Sequence, residues 1–311
     1  MKRYLYSLIS FILIISLTVC MISCNDNDDK GDENDGEQSI FDCESGVHDY
    51  TVENICAICN RALWYTSGLE YSYDSSDDVY SVSGIGSATD TDIVIPYGYE
   101  GKPVTAIDNS AFYSNPIESI YIPASITHIS ADSIAECELL WEIKVDPNNP
   151  KYKSLDGNLY RYDSKTNELI LWNYALDRDA TEFTIPDGVT SIGNYAFSRC
   201  RLFDITVPDS VTHIGYNSFA SCYNLKSITL GNGIKTIDKC AFERSTRLET
   251  VTVGSSLTSI GDSAFFYCVK LTKINYTGTE EQWNKVTKGT SWNNTRGSEN
   301  ISIVFDYTSD Q

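Results

Sequence analysis

The chain has 311 residues, 43 acidic against 23 basic side chains, and a formal net charge of −20. A pI near 4.4 excludes a grip on phosphate backbones by counterion release, so nucleic acid is not a partner. Anionic lipid would repel the same surface, so any membrane attachment must be covalent.

In chain order, residues 1–23 read as an export signal. Lys2 and Arg3 start it, and Leu5 to Val19 is nearly all apolar but too short for a stable span. The segment ends Met21-Ile22-Ser23-Cys24. A small residue before Cys, after an apolar core, resembles the bacterial lipoprotein cleavage site, which implies lipidation of Cys24. That would place the chain on the bacterial outer membrane or cell surface, with the lipid as its only membrane contact. Residues 24–40 then form an acidic tether with too little apolar surface to fold. From Asn25 to Glu53 there are eleven acidic residues against Lys30, half of the chain's net charge. Such a run resembles the surface-export signals of Bacteroides-type lipoproteins; a plain spacer reads equally well.

Residues 41–62 hold Cys43, His48, Cys56 and Cys59 in the spacing C-x4-H-x7-C-x2-C. This is the ligand set of a small tetrahedral zinc site, and chelation could order a segment with no core of its own. In an exported chain the alternative is a disulfide, Cys43–Cys56 or Cys43–Cys59. Either role is structural, and no cofactor is required for activity.

Residues 63–90 are expected to form N-terminal strands that act as a cap. From 91 to 276 the sequence repeats. Leu202, Leu225, Leu248 and Leu271 stand 23 apart, as do Ile205, Ile228, Val251 and Ile274. Earlier copies carry Ile93, Ile95 and Phe112, then Ile120, Ile122 and Ile134, then Ile185, Ile192 and Phe197. Each copy has a short alternating strand, a Pro or Gly stop, a second apolar pair spaced by three, and an Ala-Phe pair on a short helical or 3₁₀ turn. A copy this small cannot bury its own apolar face, so the copies must stack as a β-rich solenoid of about 22–23-residue repeats. The period opens once, over about 146–179. There Leu159–Tyr162 is expected to pair with Leu169–Trp172 as a hairpin. Residues 277–311 are expected to close the last repeat as a C-terminal cap.

The strings ITVPDSVTHIGYNSFASC, FTIPDGVTSIGNYAFSRC and SSLTSIGDSAFFYC closely resemble the consensus of BspA-like leucine-rich repeats of bacterial surface proteins, and the resemblance covers about residues 68–306. It implies a leucine-rich-repeat solenoid and an adhesin-like role toward host matrix proteins or other bacteria. The Cys/His segment is also similar to small modules that precede the repeats in some members.

The remaining chemistry is sparse. Cys137, Cys200, Cys222 and Cys268 share one repeat position, held by Ser245 in another copy, and read as a column of small buried residues. Cys200 and Cys222, on adjacent rungs, come within reach of a disulfide, although free thiols fit the recurring position better. His128 and His213 fall in a solvated column with Ser191, Thr236 and Ser259. With three histidines in all, no Ser-His-Asp or Cys-His arrangement assembles, so the chain reads as a non-enzyme. One expected ligand surface is an outward ladder of Tyr121, Thr184, Thr206, Thr229, Thr252 and Asn275. A second is the aromatic group of the irregular stretch, Trp141, Tyr160, Tyr162 and Trp172, which would capture or act on a glycan. The partner is thus an extracellular or host protein, or alternatively a glycan, and about 142–179 is the first place to look for it.

Overall fold

Alternating β-branched and polar residues make most of the strands, and a Pro or Gly one or two residues on keeps many of them short. The computed structural model describes residues 64–163, 166, 168–176, 180–297 and 301–308. They belong to the unit that begins at Trp64. The chain opens with an antiparallel pair, β1 (Glu70–Asp74) and β2 (Val79–Gly84). It continues through β3 (Asp92–Val94), β4 (Gly98–Tyr99), β5 (Lys102–Ile107), β6 (Ser119–Ile122), β7 (His128–Ile129) and β8 (Glu142–Val145). Then come β9 (Tyr152–Leu155), β10 (Asn158–Asp163) and β11 (Glu168–Asn173), joined antiparallel in that order. The regular half comprises β12 (Glu182–Thr184), β13 (Val189–Ile192), β14 (Asp204–Thr206), β15 (His213–Ile214), β16 (Ser227–Thr229), β17 (Thr236–Ile237), β18 (Thr250–Val253), β19 (Ser259–Ile260) and β20 (Lys273–Tyr276). A short helix α1 (Glu280–Lys285) leads to β21 (Thr287–Lys288) and β22 (Ser302–Val304).

These strands stack in two parallel columns. In the regular half the first column runs β12-β14-β16-β18-β20-β22 and the second runs β11-β13-β15-β17-β19-β21. Register follows the inward apolar positions: Phe183 lies opposite Ile205, then Ile228, Val251, Ile274 and Ile303. In the second column Leu171 lies opposite Ile192, then Ile214, Ile237 and Ile260. The N-terminal half repeats the scheme, with β3-β6-β8 as one column and β2-β5-β7 as the other. The second apolar pair of each repeat is thus itself a strand, which a two-residue signal does not disclose.

The Ala-Phe segment makes a third column. It is a pair of tight turns with left-handed residues four apart: Tyr195 and Arg199, Asn217 and Ser221, Cys240 and Arg244, Ser263 and Tyr267. None is glycine, so packing holds a conformation that side chains disfavour. The turns link rung to rung through Phe197 N–H to Ser218 O (2.7 Å), Phe219 N–H to Ala241 O (2.8 Å) and Phe242 N–H to Ala264 O (2.9 Å). Beneath them the rings of Phe197, Phe219, Phe242 and Phe265 stack face to face at 5.1, 5.1 and 5.2 Å. Tyr174 extends the stack at one end, 5.0 Å from Phe197, and Trp292 closes the other edge-on to Phe265.

The expected hairpin is present, with Tyr160 opposite Leu171 and Tyr162 opposite Leu169. It does not stand out from the solenoid. β11 joins the second parallel column, so the hairpin is built into the wall. It also divides the interior. Leu159 and Tyr160 are neighbours and both are buried, but Leu159 belongs to the N-terminal core and Tyr160 to the C-terminal one. Adjacent residues of a strand face opposite ways, so β10 is a partition between two cores. Asn149 pins the start of the preceding strand β9: its side chain donates to Pro123 O and Ile126 O and accepts from Lys151 and Tyr152 N–H.

The last rung is covered. Thr279 and Gln282 form a capping box at the start of α1, and Glu280 and Glu281 occupy its first turn. Trp283, on α1, is buried with its ring edge-on to both Tyr276 and Trp292. Lys288 Nζ donates to Trp283 O and Val286 O at the helix's far end. No helix among the described residues is long and apolar enough to cross a membrane.

Candidate functional site

Aliphatic and aromatic residues fill the interior, so side chains able to do chemistry lie on the outer faces of the columns and in the turns. The first column's outer face carries Thr184, Thr206 and Thr229 in the open and Tyr121 and Thr252 partly covered. Asn275 differs from the expectation. The closing strand β22 lies over it, it is 4% exposed, and its Nδ2 donates to Thr252 Oγ1 at 3.2 Å. Tyr121 is also engaged: its hydroxyl and that of Tyr97 both donate to the buried carboxylate of Asp146, whose other oxygen accepts Asn148 N–H. Burial and the Asp146 carboxylate push both phenols up, so they stay neutral donors. The carboxylate neighbours on this face are Asp92, Glu142, Glu182 and Asp204, beginning or bordering the strands. Ser119 and Ser227 hydroxyls donate to Asp92 and Asp204.

The hairpin's aromatic residues do not form one platform. Tyr160 is 1% exposed and packs with Leu171 in the C-terminal core, so it is not open to a ligand. Tyr162, two residues on, shares its face and lies beneath Lys153 Nζ, 4.4 Å from the ring centroid. Trp172 lies on the opposite face, edge-on to Tyr152. The Arg161 guanidinium stacks 4.7 Å above the Trp172 ring. Trp141 precedes β8 in the other column, half-exposed. Strand alternation separates these four residues, which sequence proximity alone had grouped.

A concave feature lies at the joint. Where the antiparallel hairpin meets the first parallel rungs there is a groove of about 220 Å³ lined by Arg161, Ile170, Trp172, Ser191, Ile192, Gly193, Asn194 and His213. Gly193 makes the close approach: a β-carbon there would sit 3.0 Å from Leu171 O and 3.6 Å from the Trp172 ring. His213 is held by Thr236 Oγ1 on one ring nitrogen (2.6 Å) and by Asp238 on the other (3.3 Å). Asn194 Oδ1 accepts Tyr216 N–H. The Trp172 indole N–H is buried with no partner among the described residues.

The cysteine column is more specific than small size explains. Cys137 Sγ donates to Phe112 O, Cys222 to Phe197 O and Cys268 to Phe242 O, at 3.0, 3.2 and 3.0 Å. Ser245 Oγ donates to Phe219 O at 2.7 Å and accepts Cys222 N–H. In these four copies the position holds a short donor aimed at the previous rung's Phe carbonyl, which is why Ser can replace Cys. Cys200 and Cys222 lie with sulfurs 3.1 Å apart, as free thiols. Burial pushes the thiols of Cys137 and Cys268 up to about 12 and that of Cys222 well above its ordinary value, so none is a nucleophile in the folded state.

An ion-pair cluster that sequence reasoning missed spans the insert on the turn side. Glu136 accepts from Arg199 Nε at 2.7 Å and from Ser198 Oγ at 3.1 Å, and Glu138 pairs with Arg199 and Arg201. The partners lie about sixty residues apart because the hairpin intervenes in sequence but not on this face.

Cys24 and the set Cys43, His48, Cys56 and Cys59 lie outside the described residues. Among the described residues no group of three or more His, Cys, Asp or Glu side chains is placed to hold a metal ion.

A family model described as BspA type leucine rich repeat region matches in 6 copies, over residues 92–176 and 173–287, more than half of the chain. The chain belongs to the BspA-type leucine-rich-repeat family. Among solved structures, this BspA-type chain is 33% identical to a leucine rich cell surface protein from Faecalibacterium prausnitzii, over 59% of this chain and 54% of that one, with a TM-score of 0.48. It is 17% identical to the pneumococcal vaccine antigen PcpA, over 68% and 62% of the two chains, with a TM-score of 0.48. A leucine-rich repeat protein from Bacteroides ovatus is 20% identical over 78% and 70%, with a TM-score of 0.40. The chain thus spans little more than half the length of the first of these relatives. No curated protein matches it.

Proposed function

We propose that this BspA-type chain is an exported, lipid-anchored surface protein that binds a protein partner without catalysis, in the manner of an adhesin. The observation that carries this reading is the division of labour in the fold. An apolar, ring-stacked interior serves stability alone, and both strand columns turn a continuous polar face outward. A repeated face of this kind offers contacts over many rungs, which suits a macromolecular partner. Family membership and the cell-surface description of the Faecalibacterium relative support the location. Cys24 would carry the lipid, residues 24–40 the tether, and Cys43, His48, Cys56 and Cys59 a structural zinc or a disulfide.

A binding screen of immobilised extracellular-matrix proteins and intact bacteria, run beside a glycan array, tests the partner class. Saturable protein binding is expected; sugar binding with no protein ligand would support capture of a glycan instead. Cys24→Ala is expected to abolish acyl labelling and release the chain from the membrane fraction. Retention of Cys24→Ala in that fraction would remove the anchor from the proposal. Elemental analysis beside thiol titration under denaturant separates zinc from a disulfide in the Cys/His segment.

A further inference from the structure

Cys200 and Cys222 stand apart from the rest of the cysteine column. Cys137, Cys222 and Cys268 each donate their thiol to the Phe carbonyl of the rung before, and Ser245 donates its hydroxyl in the same way. The rung before Cys200 carries Tyr174 in the ring stack where the others carry Phe, and the Cys200 thiol turns to Cys222 Sγ at 3.1 Å. Three residues upstream of the two cysteines, the Phe197 and Phe219 rings set the rung spacing at 5.1 Å. A disulfide joins Cα atoms about 4.4–6.8 Å apart, so in-register cysteines on neighbouring rungs fall within its range. Rungs two apart do not. The Ser245 rung separates Cys222 from Cys268, and the hairpin separates Cys137 from Cys200. Cys240 lies outside the column, at the first left-handed turn residue of its rung. Among the described cysteines, the pair Cys200 and Cys222 alone occupies the same position on adjacent rungs. Oxidation would take the Cys222 thiol from Phe197 O, but that carbonyl also accepts Cys200 N–H at 2.9 Å, so no buried acceptor is orphaned.

We infer that Cys200 and Cys222 form a disulfide when the chain folds under oxidising conditions, a staple across the first two regular rungs beside the hairpin joint. Its formation in the cell rests on the export reading, because thiols persist in reducing compartments. The oxidant is a disulfide-bearing exchange catalyst. The thiolate of one cysteine attacks the catalyst's disulfide, which gives a mixed disulfide and frees one catalyst thiol. The thiolate of the other cysteine then attacks the sulfur of the first and frees the second catalyst thiol. The chain loses two protons and two electrons, and the catalyst gains both and leaves as a dithiol. The exchange belongs to folding, before the rungs close. In the finished structure Cys200 is 2% and Cys222 0% exposed, and burial keeps the Cys222 thiol protonated. The same burial then shields the bond from reductants. The cross-link ties residues 22 apart in sequence and restricts the unfolded chain.

The test is a cysteine map of the full chain, in two arms. In the first, the chain is expressed in a bacterial host with residues 1–23 in place. Free thiols are alkylated in denaturant, the chain is reduced, and the newly freed thiols take a second label before proteolysis. Cys200 and Cys222 are expected to carry the second label, and Cys137, Cys240 and Cys268 the first. Cys200→Ser should move Cys222 to the first label and leave those three unchanged. The second arm needs no export: the purified chain is unfolded, reduced and refolded in a glutathione redox buffer. The same pair should form, and reduction should lower the urea midpoint of the parent chain more than that of Cys200→Ser. Free Cys200 and Cys222 after refolding, or either one paired with a different cysteine, overturns the inference. So does an equal drop in midpoint for the two chains. An exported chain with both thiols free overturns it too, and leaves the export reading standing. A chain that stays reduced inside the cell yet forms the pair on refolding supports the staple and overturns the export reading.

Discussion

At the scale of single residues, Cys137, Cys222, Ser245 and Cys268 share one hydrogen bond at one repeat position, while Cys200, with no Phe on the rung before it, donates to Cys222 Sγ instead. Ser245 is the most informative of the four, because its hydroxyl both donates to Phe219 O and accepts Cys222 N–H. Ser245→Ala leaves both groups buried and unpaired, and should cost about 1–3 kcal/mol. Ser245→Cys keeps the donor and should cost less; equal losses in urea melts of the two variants would refute the donor role. The thiols also set an alkaline limit. Burial raises Cys137 and Cys268 from 9.0 to about 12, so the fold holds them protonated while the unfolded chain ionises them. Their raised value means that stability is intact below pH 9 and falls between 9 and 12, by about 1.4 kcal/mol per pH unit for each thiol. Cys268→Ser keeps a donor but removes the titration, so its urea midpoint should fall less steeply from pH 8.5 to 10.5 than that of the parent chain. Sequence disclosed the column's period and burial but not its purpose, because the acceptor is a backbone carbonyl 25 or 26 residues upstream.

At the scale of elements, the insert is both partition and joint. Its strand pairing was legible from alternation around Asp163–Asn167, and the structure adopts that pairing. Its place in the wall was not legible, because a hairpin's own pattern does not state which sheet its second strand joins. The same gap hid the groove. Arg161 and Trp172 come together across the antiparallel pair, and Ser191, Asn194 and His213 arrive from rungs one and two repeats later. Grouping residues by nearness in sequence instead selected Tyr160, which the pleat turns inward. The Glu136–Arg199 cluster closes the joint on the turn side, with the Glu136 side chain only 11% exposed. Glu136→Gln keeps the shape but removes the charge that Arg199 and Ser198 share, and should cost about 1–2 kcal/mol, the worth of a charge-assisted hydrogen bond. If this pair couples the two cores, the variant should raise amide exchange in β6 and β8 more than in β16 and β18. Uniform acceleration in native-state hydrogen exchange would show that the two halves open as one body, with the cluster merely adding to global stability.

At the scale of the whole molecule, a solenoid's stability depends on how its ends are finished, since each rung is covered only by its neighbours. The last regular rung presents Phe265, Ile274 and Tyr276, and the segment after Tyr276 covers them with Trp283, Trp292, β21 and β22. Without that segment, β19 and β20 become open edges carrying a wide apolar face, the arrangement that invites another chain to add on. A chain ending at Gly278 should therefore associate, with light scattering showing oligomers that grow with concentration and dye binding revealing exposed apolar surface. The control is Trp283→Ala in the full-length chain, which empties one buried site without opening an edge. It should cost about 3–5 kcal/mol and still run as the same species as the parent. If the shortened chain stays monomeric with an unchanged melting temperature, residues 279–311 are not a cap. If Trp283→Ala associates as strongly as the shortened chain, loss of stability rather than the exposed edge is what drives association.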